Sequence, residues 1–226
     1  MGSSTTRRQA LIVKAVLFDL DGTLLNTLDD LADSVNASLK RFGFPQRPVE
    51  AYKYLVGDGI VNLVSRALPD ENRDEATINR IASLEREEYA RNWSNKTRLY
   101  EGIPDLLTAL QNLGIALCIL SNKPDDFTQI IVKKFLPKWK FAVVRGASEA
   151  APIKPDPSSA IQIALTVGCA PAEFLYVGDS GTDMQTATAA GMHPVGALWG
   201  FRSKDELVSA GAKALLEEPI DLLNLV

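Results

Sequence analysis

The sequence predicts an α/β fold: a doubly wound, mainly parallel, Rossmann-like sheet into which an all-helical segment is inserted. Three observations carry that expectation. From about residue 97 onward, short continuous apolar runs alternate with helical periodicity, the pattern of parallel strands buried on both faces. One further apolar run, IVKAVLFDLD at residues 12–21, stands alone near the start. Between them lie about seventy residues whose apolar positions recur three and four apart, far more than the usual βα connection of about two to six.

In order, residues 1–10 are small, polar and basic and read as a disordered leader. The first strand then ends in the turn Gly22-Thr23. The segments LLNTLDDLADSVNASLKRFGF, YKYLVGDGIVNLVSRAL and ATINRIASLEREEYARNW follow as helices, broken at Gly43, Pro45, Pro48 and Pro69. After Thr97 come helix DLLTALQNLG, strand IALCILS, helix DDFTQIIVKKFL, strand FAVVRG, helix PSSAIQIALTVG and strand FLYVGDS. Helix TDMQTATAAG, strand HPVGALW, helix DELVSAGA and a short strand AKALLE close the chain. The expected division is a core of residues 11–24 and 96–226 and a helical cap of residues 25–95. A chain leaving the sheet after its first strand places that cap over the carboxyl ends of the strands, where doubly wound sheets bind ligands.

Composition narrows the function. The chain has 226 residues, 46% of them hydrophobic and 23% charged, the balance of an ordinary globular protein. A net charge of −4 gives no broad basic field, so nucleic acid is not an expected partner and any phosphate site must be local. Cys118 and Cys169 form no Cys-x-x-Cys pair and read as buried thiols of a reducing compartment. No apolar run approaches the ~18 residues of a membrane span, so no membrane association and a cytoplasmic location are expected. With His193 the only histidine, His-dependent phosphatase and Ser-His-Asp chemistry are disfavoured. There is no Gly-x4-Gly-Lys loop and no Cys-x5-Arg sequence, which removes P-loop and phosphocysteine mechanisms.

Three strand ends and one Pro-rich loop carry the candidate chemistry. Asp19 and Asp21 lie two apart, a spacing that in a strand aims both side chains the same way. Phe18, Leu20 and Leu24 surround them, and carboxylates beside a core are costly without a cation or a proton-transfer task. Asp179 and Asp183 in VGDSGTD form a second acidic pair, although a turn and a helix start are their commonest roles. Should all four carboxylates meet at one sheet edge, an oxygen-only ligand set without His or Cys suits Mg²⁺ over zinc. Ser121 and Asn122 close a third strand, and Lys154 sits between Pro152 and Pro155 as a defined point charge. Trp93, Trp139 and Trp199 read as packing residues.

DLDGT at 19–23, Ser121, Lys154 before Pro155, and GDSGTD at 178–183 resemble the ordered motifs of the haloacid dehalogenase superfamily, over essentially the whole chain from Lys14. The helical insertion, with Gly57-Asp58-Gly59 in it, resembles the cap of the phosphoglycolate phosphatase-like branch. The resemblance implies Asp19 as nucleophile and Asp21 as general acid and base. It implies Thr23, Ser121, Asn122 and Lys154 on the phosphoryl oxygens, and Mg²⁺ at Asp19, the backbone carbonyl of Asp21, Asp179 and Asp183. True dehalogenases and phosphonate hydrolases of the superfamily lack an acid at the position of Asp21, which argues for phosphoester chemistry. Asn26-Thr27 departs from the family's frequent Asp-Ser pair and touches the hinge of the cap. Gly57, Gly59 and Arg66 are the cap residues expected near the substrate, a wet helix face being the commoner role for Arg66. The implied activity is Mg²⁺-dependent hydrolysis of a small phosphorylated metabolite through an aspartyl-phosphate. Alternatives are a pyrophosphatase or nucleotidase, a phosphomutase, or a non-catalytic phosphate-binding protein; oligomeric state is open.

Overall fold

The computed structural model describes residues 12–226; the expected leader at 1–10 lies outside them. The first half of the chain runs β1 (Ala15–Phe18), β2 (Leu25–Asn26), α1 (Leu28–Arg41), α2 (Tyr52–Leu55), α3 (Ile60–Ala67), α4 (Glu75–Asn92) and β3 (Arg98–Leu99). The second half alternates: α5 (Ile103–Asn112), β4 (Ala116–Pro124), α6 (Asp125–Phe135), β5 (Phe141–Ala147), α7 (Ser158–Val167), β6 (Phe174–Gly178), α8 (Gly181–Ala189), β7 (His193–Ala197), α9 (Lys204–Ser209) and β8 (Ala214–Leu216).

Six strands form one sheet in the order β5-β4-β1-β6-β7-β8, and every pairing in it is parallel. β1 is central because all four of its residues are apolar and fully buried, which only a strand covered on both faces permits. Its pleat divides them: Val16 and Phe18 join the larger core with Leu106, Leu110 and Ile131, while Ala15 and Leu17 face Ala160, Ile163 and Ala187 of α7 and α8. From β1 the chain builds outward to β4 and β5, then returns to the other side of β1 with β6. The crevice between β1 and β6 is therefore the topological switch point of the sheet.

The helical segment leaves and returns through one short ribbon, β2 paired antiparallel with β3, which the apolar periodicity had not signalled. Two residues per strand are too few for an alternation to show. α1 buries Leu28, Leu31, Ala32, Val35 and Leu39, one helical stripe, and carries Asp29 and Asp30 in its first turn and Lys40 and Arg41 in its last, matching the helix dipole. α4 is capped by Asp74, which accepts a 2.9 Å hydrogen bond from the Thr77 amide. The stretch expected as one helix through residue 68 is two, α2 and α3, interrupted where Gly57 and Gly59 adopt positive φ.

The remaining side chains expected to pack mostly do. Trp93 meets Phe135 edge-on with ring centroids 6.2 Å apart, and Trp139 donates to Thr108 at 3.0 Å. His193 has a ring nitrogen 3.0 Å from the Ala172 carbonyl, a structural contact. Cys118 is buried, but Cys169, just past the end of α7, is only half-buried.

Candidate active site

The parallel ladder delivers the acids. Asp19 directly follows β1, with its amide still donating to the Val177 carbonyl of β6 at 2.9 Å, so the end of one strand is fixed against the end of the other. Asp179 directly follows β6, and Asp183 lies in the first turn of α8. Carboxylate oxygens of Asp19, Asp179 and Asp183 come within 4.8 Å of one another, and all three residues are buried.

Lys154 reaches the cluster from the loop between β5 and α7. Its Nζ lies 2.9 Å from Asp19 Oδ1 and 2.7 Å from Asp183 Oδ1, with the side chain 3% exposed. Two of the three buried carboxylates thus share one ammonium, and the cluster is short of positive charge. Titration reflects the deficit: burial first, then Asp183, pushes Asp179 up to about 7. Burial also raises Asp19 well above the carboxylate range, despite the pull of Lys154. Burial works against the charge of Lys154, but Asp183 and Asp19 outweigh it and hold the ammonium well above the lysine range.

Close packing fixes the orientation of the acids. Asp179 accepts from the Thr23 hydroxyl at 3.2 Å and from the Phe201 amide at 2.7 Å. Gly22, at φ 88°, and Gly200 approach it so closely that a Cβ would stand 2.3 Å from Asp179 Oδ2 at the first and 2.2 Å from Asp179 Cβ at the second. Asp183 accepts from the Ser180 hydroxyl at 2.6 Å and the Ser180 amide at 3.1 Å. Trp199 donates to the Thr23 carbonyl at 2.9 Å, so the expected packing residue also clamps the turn.

Asp21 departs from the expectation of four gathered carboxylates. β1 ends at Phe18 and the chain turns at Gly22, so the two-residue period no longer applies, and the Asp21 carboxylate stands outside the cluster of Asp19, Asp179 and Asp183. It accepts from Thr27 at 2.6 Å and pairs with Lys123 at 3.2 Å. Asn122 differs as well. Its carboxamide accepts from the Lys154 amide at 2.8 Å and donates to the Lys154 carbonyl at 3.1 Å and the Gly57 carbonyl at 3.0 Å, so it holds backbone. Thr23 is buried behind Asp179. Ser121 lines the cavity, its hydroxyl accepting from the Lys123 amide at 3.2 Å.

A cavity of about 740 Å³, counted with its open mouth, lies between this rim and the helical segment. Asp19, Asp21, Ser121, Asn122 and Lys154 line one side; Gly57 and Gly59 line the other. Arg66 stays outside the lining, paired with Asp58 and partly exposed, as the wet-face reading expects.

Sequence reasoning passed over Lys123, Glu85 and Tyr89. Lys123 is buried, its ammonium 4.6 Å from the Tyr89 ring centroid, and follows directly on Ser121-Asn122. Glu85 interrupts the apolar stripe Ile81, Ala82, Tyr89 of α4, and an acid on a buried helical stripe was the signal that could have found it.

The fold and site therefore define an α/β protein with a buried carboxylate rim at its switch point and a helical segment over it. The haloacid dehalogenase-like hydrolase model matches residues 16–197. Phosphoglycolate phosphatase of Mannheimia succiniciproducens is 33% identical over 219 residues, 94% of this chain and 98% of the relative. Phosphoglycolate phosphatase of Xanthomonas campestris pv. campestris is 32% identical over 210 residues, 92% and 94% of the two chains. The crystal structure of a predicted phosphoglycolate phosphatase from Haemophilus somnus superposes with TM-score 0.86 at 29% identity, covering 94% of this chain and 97% of that one. The chain belongs to the haloacid dehalogenase-like hydrolases. No helix among the described residues is long and apolar enough to cross a membrane.

Proposed function

We propose that this protein is a Mg²⁺-dependent phosphomonoester hydrolase of the phosphoglycolate phosphatase-like kind, acting on a small phosphorylated metabolite through an aspartyl-phosphate on Asp19. The observation that carries this reading is the buried triad Asp19, Asp179 and Asp183 with Lys154 ion-paired into it. The names of the relatives support the phosphatase class.

The donor set fits the cation. It offers carboxylate oxygens only, is fully buried, and its surplus of negative charge needs a compensating cation. Asp19, Asp179 and Asp183 would hold Mg²⁺, with the Asp21 carbonyl as a further ligand. Bound there, Mg²⁺ supplies Lewis-acid stabilisation of charge on the phosphoryl oxygens. In this reading the Asp19 carboxylate attacks phosphorus and the ester oxygen leaves as an alcohol, taking its proton from Asp21. Asp21, held by Thr27 and Lys123, then removes a proton from the water that attacks the acyl-phosphate, and orthophosphate leaves. Lys154 and the Ser121 hydroxyl neutralise and orient the transferring group from the cavity wall. Thr23 and Asn122 act one step back, on Asp179 and on the Lys154 backbone. The helical segment, residues 25–95, serves as the cap that excludes bulk water.

Chelator-treated protein should not turn over para-nitrophenyl phosphate, and Mg²⁺ should restore turnover. Full activity in the stripped protein would overturn the metal assignment. Release of phosphate from sugar phosphates without isomer interconversion separates a hydrolase from a mutase.

A further inference from the structure

The wall opposite the acidic rim holds a polar group that the reaction above does not use. Glu85 is 3% exposed, lines the cavity from α4, and makes no hydrogen bond or ion pair among the described residues. The Tyr89 hydroxyl, one helical turn along, is buried and also without a partner. The other charges on the lining are engaged: Lys154 with Asp19 and Asp183, Lys123 with Asp21, and Arg86 with Asp126. Burial raises the Glu85 carboxyl to about 7, with Lys123 and then Arg86 pulling it back. Leu31, Val56, Ile60, Leu63 and Phe127 line the rest of that end and add only apolar side chains. Buried polar groups are normally satisfied, so a buried Tyr89 hydroxyl without a partner, beside a Glu85 carboxylate that lines the same cavity and meets no donor among the described residues, marks a place completed by a ligand.

We infer that Glu85 is a specificity-determining residue whose carboxylate accepts a hydrogen bond from a second hydroxyl on the leaving alcohol of the substrate. This rests on the phosphomonoester hydrolase reading and narrows it, and it sets the preferred leaving group apart from the carboxylate-ended one in the relatives' names. An ester whose leaving group ends in a carboxylate brings a like charge against Glu85, the acid on the helical wall of the cavity that makes no ion pair among the described residues, and like charges facing each other in a buried site are strongly disfavoured. An ester ending in a hydroxyl places a donor there instead. A site built to accept a hydrogen bond discriminates sharply, because the buried acceptor stays unpaired when the donor is missing.

Two matched pairs of substrates test this at different reach: 2-hydroxyethyl phosphate against 2-phosphoglycolate, and glycerol 3-phosphate against 3-phosphoglycerate. Within each pair only a CH₂OH is exchanged for a carboxylate. The quantity read is the ratio of kcat/KM within a pair, which does not depend on the active fraction of a preparation. The wild-type protein should favour the alcohol in at least one pair, and Glu85→Gln should move that ratio toward the acid by about tenfold, equivalent to ~1.4 kcal/mol in transition-state binding. Wild-type preference for the acid in both pairs, or ratios that Glu85→Gln moves by less than about threefold in both, would overturn the assignment. Turnover of para-nitrophenyl phosphate with none of the four esters cleaved overturns it too, while leaving the hydrolase reading standing. Failure on para-nitrophenyl phosphate as well as on all four esters defeats both.

Discussion

The two walls of the cavity are built on opposite plans. At the sheet rim, Asp19, Asp179, Asp183 and Lys154 are bound to one another or to neighbouring backbone, and strand ends locked by a parallel ladder hold two of them. On the helical side, the buried Tyr89 hydroxyl has no partner and the Glu85 carboxylate lines the cavity without a hydrogen bond or ion pair to the described residues. Polar ties from the helical side to the core include Arg202 to the Val56 carbonyl at 2.8 Å, Thr182 to Asp58 at 3.3 Å, Asn122 to Gly57, Thr97 to Asp30 and Arg86 to Asp126. On the proposed reading, the contrast separates chemistry from recognition. Reacting groups must be held to within about 0.5 Å, which calls for rigid elements and saturated hydrogen bonding. A group that reads the substrate has to remain unsatisfied until the substrate arrives.

The comparison breaks most readily at the rim. Asp19→Asn should abolish turnover, a loss on the order of 10⁴-fold or more, as expected when a nucleophile is removed. Steady-state hydrolysis of para-nitrophenyl phosphate measures it, and unchanged circular dichroism shows that the fold stands. Surviving activity would mean that another group attacks phosphorus.

Lys154→Met should cost activity by about 10²–10³-fold. It should also cost stability by about 3–5 kcal/mol, because Asp19 and Asp183 are left buried without their shared cation. Denaturant unfolding reads the second effect. Gly22→Ala should destabilise by about 1–3 kcal/mol and depress activity, since its φ of 88° is strained for alanine and the added carbon collides with Asp179. A neutral result would show that the turn yields, and that the rim is less rigid than its packing implies.

The helical side should respond in the opposite sense. Glu85 titrates near 7 in the fold against 4.5 for an ordinary glutamate. A raised carboxyl pKa contributes stability below the unfolded value that is lost as pH climbs through the folded one. Wild-type protein should therefore lose stability between about pH 4.5 and 7 on account of this group. Glu85→Gln should melt higher than wild type at pH 8, by about 1–2 kcal/mol, and close to it at pH 4.5. A variant less stable than wild type at pH 8 would mean that Glu85 has a partner after all. Smallest of all, Arg66→Ala should change unfolding free energy by less than about 0.5 kcal/mol, because its pairing with Asp58 is partly exposed to solvent.

Much of the rim was legible in the sequence because each member follows an apolar run: Asp19 after AVLF, Asp179 after FLYVG, Ser121 within the run that leads into Asn122. Periodicity locates strand ends, and strand ends of a doubly wound sheet converge. The side-chain directions were not legible. Asp19 and Asp21 take different partners because the strand has already ended at Phe18, before both of them, and Asn122 turns inward to hold the loop of Lys154. Lys123 escaped notice because a lysine beside a proline at the end of a run is ordinarily solvated, whereas here Asp21 and the face of Tyr89 enclose it.

Local pattern alone therefore determined the alternating architecture, the long helical insertion and the acids at the ends of the central strands, since apolar periodicity and turn chemistry act over a few residues. Tertiary structure alone decided which carboxylates share Lys154, that Asp21 pairs with Lys123, and that Glu85 stands unpaired across the cavity. Those outcomes depend on Coulomb and hydrogen-bond contacts between residues distant along the chain, such as Asp19 and Lys154, and such contacts exist only once the sheet has closed the distance.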